Sequence, residues 1–284
     1  MTQQPSDSCE PHAGRWALCL EYDGSAYSGW QKQASPQLPT VQGCLEQALS
    51  KVADREISII CAGRTDAGVH ATAQVVHFDC DATRPVQSWV RGGNSLLPPG
   101  IRVRWASPVD QEFHARFSAT SRTYVYLVNN SRRGTVFGRK QTLMFAQQLD
   151  HERMETAAQS LLGEQDFSAF RAAGCQSKTP FRCVSSISVR RFGYLVVLEI
   201  SANAFLQHMV RNIMGTLLEI GIQAKPVEWV ADLLGGCDRT RAAAAAAPDG
   251  LYLADVAYAE DWALPPVRRL PATAGLDLLL SDSA

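Results

Sequence analysis

The sequence lacks the cysteine and histidine spacings that hold metal ions or form redox centres. Its eight cysteines are scattered along 284 residues, and no two of them form a Cys-x-x-Cys pair. Several fall within apolar strand patterns, where a cysteine usually behaves as a small buried hydrophobic residue. The six histidines show no metal-ligand spacing either. We therefore expect free thiols and no metal site.

Long apolar runs are also missing. No segment approaches the roughly 20 apolar residues that a bilayer-spanning helix needs. The first residues, MTQQPSDSCEPHAGR, have neither the basic end nor the apolar core of a signal peptide. We therefore expect a cytoplasmic protein without a membrane partner. A hydrophobic content of 46% with 19% charged residues is typical of a globular chain, and this length favours two domains.

Net charge is close to zero, but the basic residues are unevenly placed. Residues 101–140 hold eight basic and two acidic side chains, and residues 167–198 hold five basic and no acidic ones. Arginine, which suits bidentate phosphate contacts and stacking on bases, supplies 22 of the 27 basic residues. Charge alone fits either one phosphate-binding face or an ordinary solvated surface.

Hydrophobic periodicity predicts the same order of elements twice. Strands are expected at 15–22, 56–62, 73–80, 101–107, 122–129, 184–191, 194–202 and 251–259, and helices at 40–54, 85–97, 150–163, 204–221 and 226–235. Each half is then a β-α-β-β-α-β unit. The predicted fold class is α+β, with two ferredoxin-like halves that share an extended, mainly antiparallel sheet flanked by helices. The alanine run 242–247 stays undecided, because its helix propensity is high but Pro248 follows directly.

The composition also suggests four segments. We expect domains at 14–110 and 111–265, with proline and polar residues around their junction. Residues 1–13 and 266–284 are expected to be loosely held terminal extensions.

The stretch CAGRTDAGVH (61–70) places one aspartate in a glycine-bounded loop between two predicted strands. An aspartate in such a loop is usually a turn residue. Here Gly63 and Gly68 permit close approach of a ligand. Arg64 can keep the Asp66 carboxylate ionised, since an adjacent cation lowers an aspartate pKa. Nucleophilic or general-base work is therefore the functional interpretation of Asp66.

A second polar cluster falls on the predicted helix 204–221. His208, Arg211 and Gly215 lie on a different face from the apolar stripe. Gly215 in mid-helix predicts close packing. Arg211 is either the counter-ion of a buried aspartate or a solvent-reaching side chain, and the residues alone do not decide between the two.

Two tyrosines, Tyr124 and Tyr126, share one face of the predicted strand 122–129. Such aromatics either stack on RNA bases or are half-buried sheet residues, and for Tyr126 we favour the sheet residue. Arginine-rich strands and tyrosines near a carboxylate favour a planar substrate that carries phosphate, and RNA fits.

Six segments in order resemble the tRNA pseudouridine synthase A family, whose nucleophilic aspartate sits in a GRTDxGVHA loop. These segments are LCLEYDGSAYSGWQ (18–31), AGRTDAGVHATAQVVHF (62–78), FHARFSATSRTYVYLV (113–128), DFSAFRAAGCQSKTPFR (166–182), NAFLQHMVRNIMGTLLEIG (203–221) and APDGLYLADVAY (247–258). They are spread over most of the span 15–260. Gln207 stands where many relatives carry a second histidine, which affects only secondary RNA contacts.

The resemblance implies isomerisation of uridine to pseudouridine in the anticodon stem-loop of tRNA, at positions 38–40, by a homodimer without cofactor or metal. Asp66 would be the catalytic nucleophile; it would attack the uracil ring or the sugar, or take a sugar proton. Arg64 would help to displace the base, and Arg211 would pair with the aspartate. Tyr124, Leu251 and His208 would bind the substrate.

Two other functions compete with this one. A non-catalytic RNA-binding protein would use the same two sheets without turnover. A hydrolase would use Asp66 and His70 as an acid–base pair, but the loop offers no evident oxyanion hole, nucleophilic serine or metal set. An orienting role for His70 is the simpler interpretation.

Overall fold

The computed structural model describes residues 12–33, 38–136 and 138–271. Most of the two predicted terminal extensions, 1–13 and 266–284, lies outside these residues. The chain folds into two compact units. The first unit runs to Thr120 and resumes at Leu253, and the second comprises Ser121–Tyr252. The predicted domain bounds 14–110 and 111–265 stay a prediction.

The first unit is built on three long antiparallel strands. Its elements are β1 (His12–Tyr22), α1 (Val41–Ala53), β2 (Ile60–Cys61), β3 (His70–Arg84), α2 (Gly93–Leu96) and β4 (Ile101–Pro108). β1 lies between β3 and β4, with Leu18 opposite Val76 on one side and Ala106 on the other. The short β2 pairs with β3.

Helix α1 begins where its N-cap predicts. The Thr40 hydroxyl accepts the Gly43 amide hydrogen at 3.2 Å, which satisfies one of the free donors of the first turn. The apolar stripe of Val41, Leu45 and Leu49 is buried. Periodicity and cap together are therefore sufficient to place this helix.

Two predictions in the first unit need correction. The predicted strand 56–62 is reduced to β2, because the Ile57 amide donates to Ser50 Oγ and the Ile59 amide to Glu46 Oε1, both on α1. The predicted helix 85–97 is in place but is π-helical over Ser88–Gly92 before α2. Trp89 in the π-helical turn is fully buried, with its ring 4.9 Å from that of Phe78.

The second unit has a four-stranded antiparallel core. Its elements are β5 (Ala119–Asn129), β6 (Leu143–Met144), α3 (His151–Ala158), β7 (Gly163–Asp166), β8 (Phe181–Phe192), β9 (Leu195–Ala202), α4 (Met209–Gly221), α5 (Trp229–Gly236) and β10 (Leu251–Tyr258), which continues into the first unit. β9 pairs with β5 and β8, and β7 pairs with the other edge of β8. The two-residue β6 is parallel to β5.

The predicted helix 204–221 is wrong over its first five residues, because α4 begins only at Met209. Asn203 Oδ1 accepts the amides of Ala204 and Cys183, and the Gln207 carbonyl accepts the Ala172 amide. These bonds tie residues 203–207 to β8 and to the segment before it instead of to a helical turn. Periodicity could not reveal this, since it reports side chains and not backbone partners.

The mainly antiparallel strands and their flanking helices confirm the predicted α+β class. The alanine run 242–247 is not helical. The short strands β6 and β7 were not predicted. No helix in the described part of the chain has the length and apolar character to cross a membrane.

Candidate active site

The loop between β2 and β3 presents the two polar side chains singled out by the sequence. Arg64 is exposed, Asp66 is half-buried, and Thr65 between them is buried. The Val69 amide donates to the Asp66 carbonyl at 3.1 Å, and Gly68 has φ +80°. A residue with a side chain rarely adopts this φ, so the glycine permits the tight turn that carries Asp66.

The start of this loop is fixed by a side chain of β3. Gln74 is fully buried, its Nε2 donates to the Gly63 carbonyl at 2.6 Å, and its Oε1 accepts the Gly63 amide at 3.4 Å. A buried amide that satisfies both backbone groups of one residue holds the strand-to-loop transition in one conformation.

A segment of the first unit, residues 22–30, supports the loop from the side, and we call it the cradle. Tyr22 and Thr65 share a buried hydroxyl–hydroxyl hydrogen bond at 2.7 Å. The Trp30 amide donates to the Thr65 carbonyl at 3.0 Å. The cradle thus holds both the hydroxyl and the carbonyl of Thr65, the residue directly before Asp66.

Two glycines of the cradle lie against the loop backbone. A Cβ at Gly24 would be 2.0 Å from the Val69 carbonyl oxygen. A Cβ at Gly29, where φ is +95°, would be 3.0 Å from the Thr65 carbonyl oxygen and 3.2 Å from the Asp66 carbonyl carbon. Both positions therefore require glycine for the cradle to approach the loop closely.

His70 closes the loop at the start of β3 and is almost fully buried. Its Nδ1 accepts the Gly24 amide at 3.1 Å and lies 3.2 Å from Asp23 Oδ1. Contact with His70 and hydrogen bonds from Ser25 hold the pKa of the Asp23 carboxyl well below its usual range. These contacts with the cradle favour the orienting role of His70.

In the second unit, Arg211 lies on the first turn of α4. Its Nε donates to the Ala246 carbonyl at 2.9 Å, and its own carbonyl accepts the Ala246 amide at 3.0 Å. One turn further along, a Cβ at Gly215 would be 2.0 Å from the Ala244 carbonyl oxygen, which confirms the predicted close packing. Arg211 is therefore held by the backbone of the alanine run.

Three other predicted site residues also lie in the second unit. Tyr124 on β5 is mostly buried and meets the Phe205 ring edge-on, at 5.0 Å between centroids. Leu251, at the start of β10, is buried. The periodicity predicts that His208 shares the helix face of Arg211, and this prediction is wrong. His208 is instead the N-cap of α4, in the left-handed conformation with φ +62°. The periodicity misplaced both His208 and the start of the helix, because it reports side chains and not backbone partners.

The structure thus brings Arg64, Asp66 and His70 together in the first unit. It places Tyr124, His208, Arg211 and Leu251 in the second. The sequence patterns did not predict the cradle, although two glycines in DGSAYSGW immediately after a strand were the available signal. Among the described residues, no group of three or more His, Cys, Asp or Glu side chains could hold a metal ion.

Comparison with known proteins points to the family that the sequence motifs resemble. A family model described as tRNA pseudouridine synthase matches residues 18–118 and 157–259. The tRNA pseudouridine synthase A of Shewanella sp. (strain MR-4) is 57% identical over 251 residues, which cover 88% of this chain and 95% of that protein. The protein of the same name from Idiomarina loihiensis is 54% identical with the same coverage. A solved Cbf5-Nop10-Gar1 complex matches 71% of this chain and 54% of that chain. Its TM-score of 0.31 and identity of 12% are too low to support a conclusion.

Proposed function

The chain belongs to the tRNA pseudouridine synthase family and isomerises uridine in tRNA to pseudouridine, and we propose that Asp66 is its catalytic nucleophile. The family model covers both the Asp66 loop and α4. In the reaction the N1–C1′ bond breaks and a C5–C1′ bond forms, while C5 loses a proton and N1 gains one. Since substrate and product have the same atoms, the step needs no external oxidant, reductant or energy source.

One observation carries the role of Asp66. Its half-buried carboxylate sits on a turn whose backbone is fixed by Gln74 on one side and by the cradle on the other. A nucleophile gains most from being held in a single reactive geometry, because the entropy of alignment is then paid in folding. A turn aspartate without function would need no such support.

We assign the remaining site residues from the family resemblance. Arg64 is exposed beside Asp66 and is suited to displace the target base from its stack. Arg211 would pair with the catalytic carboxylate, and Tyr124 would pack on the target base. Leu251 would line the base pocket, and His208 would contact the substrate. Each of these assignments follows the resemblance residue by residue.

The substrate site in tRNA is proposed to be the anticodon stem-loop, at positions 38–40. A uridine in a stem has to be turned out of the helix, at a cost of a few kcal/mol in stacking and pairing. Phosphate contacts from the arginine-rich stretches 101–140 and 167–198 would offset that cost and make affinity fall with salt. We also propose that the enzyme is a cytoplasmic homodimer.

The decisive experiment measures tritium release from tRNA labelled with 5-³H-uridine. We expect Asp66→Ala to lower turnover on the order of 10³-fold or more while tRNA binding persists. Asp81→Ala is the matched control, because Asp81 is 95% exposed and contacts only Arg55 at 3.6 Å among the ion pairs of the described residues. Wild-type turnover in Asp66→Ala would refute the nucleophile.

Two further readouts separate the finer proposals. No tritium release by the wild-type protein would refute the isomerase and favour the RNA-binding alternative. Mapping pseudouridine in the product tRNA tests the target, since modification outside positions 38–40 would contradict the anticodon stem-loop. Sedimentation of the free protein tests the homodimer.

A further inference from the structure

The alanine run 242–247, which we call the alanine segment, lies along α4 in an irregular, non-helical conformation. Ala246 makes two contacts with one residue of the helix. Its amide donates to the Arg211 carbonyl at 3.0 Å, and its carbonyl accepts Arg211 Nε at 2.9 Å. The backbone of Ala246 thus holds both the main chain and the guanidinium of Arg211.

The segment also touches the helix surface directly. The space that a Cβ of Gly215 would occupy is taken by the Ala244 carbonyl, at 2.0 Å, and the Ala246 amide nitrogen is 3.4 Å away. Only a glycine allows this approach, so the segment packs directly against the backbone of the helix. A displacement of the segment therefore displaces the group that holds Arg211.

Both ends of the segment are anchored by side chains. At its start, Arg239 donates to the Ala242 carbonyl at 3.3 Å and to Asn212 Oδ1 at 3.0 Å. At its end, the Tyr126 hydroxyl donates to the Ala247 carbonyl. Tyr126 is fully buried, and burial raises the pKa of its hydroxyl, so the group is a neutral donor. Its hydroxyl reaches the residue directly after Ala246.

We propose that Tyr126 is a positioning residue for the isomerisation, acting through the alanine segment on Arg211. Its hydroxyl fixes the Ala247 carbonyl, the adjacent Ala246 carbonyl fixes Arg211 Nε, and the terminal nitrogens of the guanidinium are thereby aimed. An arginine presents its nitrogens as a rigid planar fork, so fixing Nε fixes the direction of the other two. This inference rests on the proposed role of Arg211 as partner of the catalytic carboxylate.

The strand pattern favours a half-buried sheet residue at position 126. A phenylalanine would serve that purpose as well, because the ring alone fills the core. Within the described part of the chain, the hydroxyl forms a hydrogen bond only with the Ala247 carbonyl. Removing it while keeping the ring is therefore the direct test.

Tyr126→Phe is compared with Tyr252→Phe. Tyr252 is a second buried tyrosine of the same unit, and its hydroxyl donates to the Gln141 carbonyl at 2.8 Å, which lies outside the alanine segment. With tRNA labelled at C5, we expect Tyr126→Phe to lower kcat roughly five- to ten-fold with KM unchanged. Tyr252→Phe keeps kcat within about twofold. Equal kcat values for the two variants would overturn the proposal.

A double-mutant cycle with Arg211→Lys distinguishes positioning from a general loss of packing. Lysine keeps the charge but has no Nε–H at the place where Ala246 accepts one. If Tyr126 acts through Arg211, adding Tyr126→Phe to Arg211→Lys changes kcat no further. A full additional loss in the double variant overturns the inference.

The cycle also separates this inference from the proposed function. If Arg211→Lys turns over at the wild-type rate, Arg211 leaves the site and the inference falls with it. If Arg211→Lys is slow and the two effects multiply, the role of Arg211 stands and only the role of Tyr126 is refuted. Melting temperatures of both tyrosine variants are measured alongside, and all rates are taken below the lowest one.

Discussion

Replacing Gly29 by alanine tests whether the cradle holds the Asp66 loop. The new Cβ would lie 3.0 Å from the Thr65 carbonyl oxygen, 3.1 Å from the Ala67 amide nitrogen and 3.2 Å from the Asp66 carbonyl carbon. All three atoms belong to the backbone of the loop. The loop therefore has to shift by a few tenths of an ångström, since no flexible side chain is there to yield.

The effect on the reaction and the effect on stability have separate causes. A misplacement of about 1 Å in a reacting group costs on the order of 100-fold in rate, so a shift of a few tenths of an ångström costs roughly three- to tenfold in kcat. At φ +95° the alanine also introduces backbone strain of roughly 1–3 kcal/mol. That strain lowers the melting temperature by roughly 2–4 °C for each kcal/mol.

Gly163→Ala is the control that carries the strain alone. Gly163 has φ +86°, and its Cβ would meet no atom within 4 Å. We expect a lowered melting temperature in both variants, and loss of kcat in tritium release for Gly29→Ala only. Wild-type kcat in Gly29→Ala would refute the argument that the cradle positions Asp66.

Two further predictions concern the same unit. Tyr22→Phe removes the buried hydrogen bond to Thr65 Oγ1, and we expect the free energy of unfolding in urea to fall by about 1–2 kcal/mol; an unchanged midpoint would contradict it. Burial, with His114 and Arg15 nearby, lowers the pKa of His77 to about 4, so that its Nδ1 accepts the Ala115 amide. An unfolded histidine binds a proton below about pH 6.5, so the unfolded state holds more protons than the folded state between pH 6.5 and 4. The free energy of unfolding should therefore decrease as the pH is lowered across that window. Urea titrations should show a weaker pH dependence for His77→Gln, and equal slopes would disprove this role.

Local patterns predicted the parts of the fold that depend on neighbouring residues. Thr40 and the stripe through Leu45 placed α1, because a cap and a helical period are both properties of a short segment. Strand alternation placed β1 and β4 in the same way. Predictions failed where a backbone amide found a distant partner, as at Ile59, whose amide is taken by Glu46 on α1.

The candidate site shows the same division. Arg64 and Asp66 were identifiable because two glycines bound a polar loop between strands. The contribution of Tyr22 was not, since its hydroxyl meets a residue 43 positions later. His208 was placed on a helix face that its left-handed backbone conformation excludes.

The sequence by itself determined the α+β class, the order of most elements, the family and the loop that carries Asp66. All of these depend on residues that are close together in the chain or on a recognisable succession of segments. Only the tertiary structure showed that the cradle lies beside the loop and that the alanine segment lies against Arg211. In both, the backbones of two segments that are distant in the sequence approach closely, because Gly24, Gly29 and Gly215 have no Cβ. The periodicity of side chains does not show which segment will pack against a glycine.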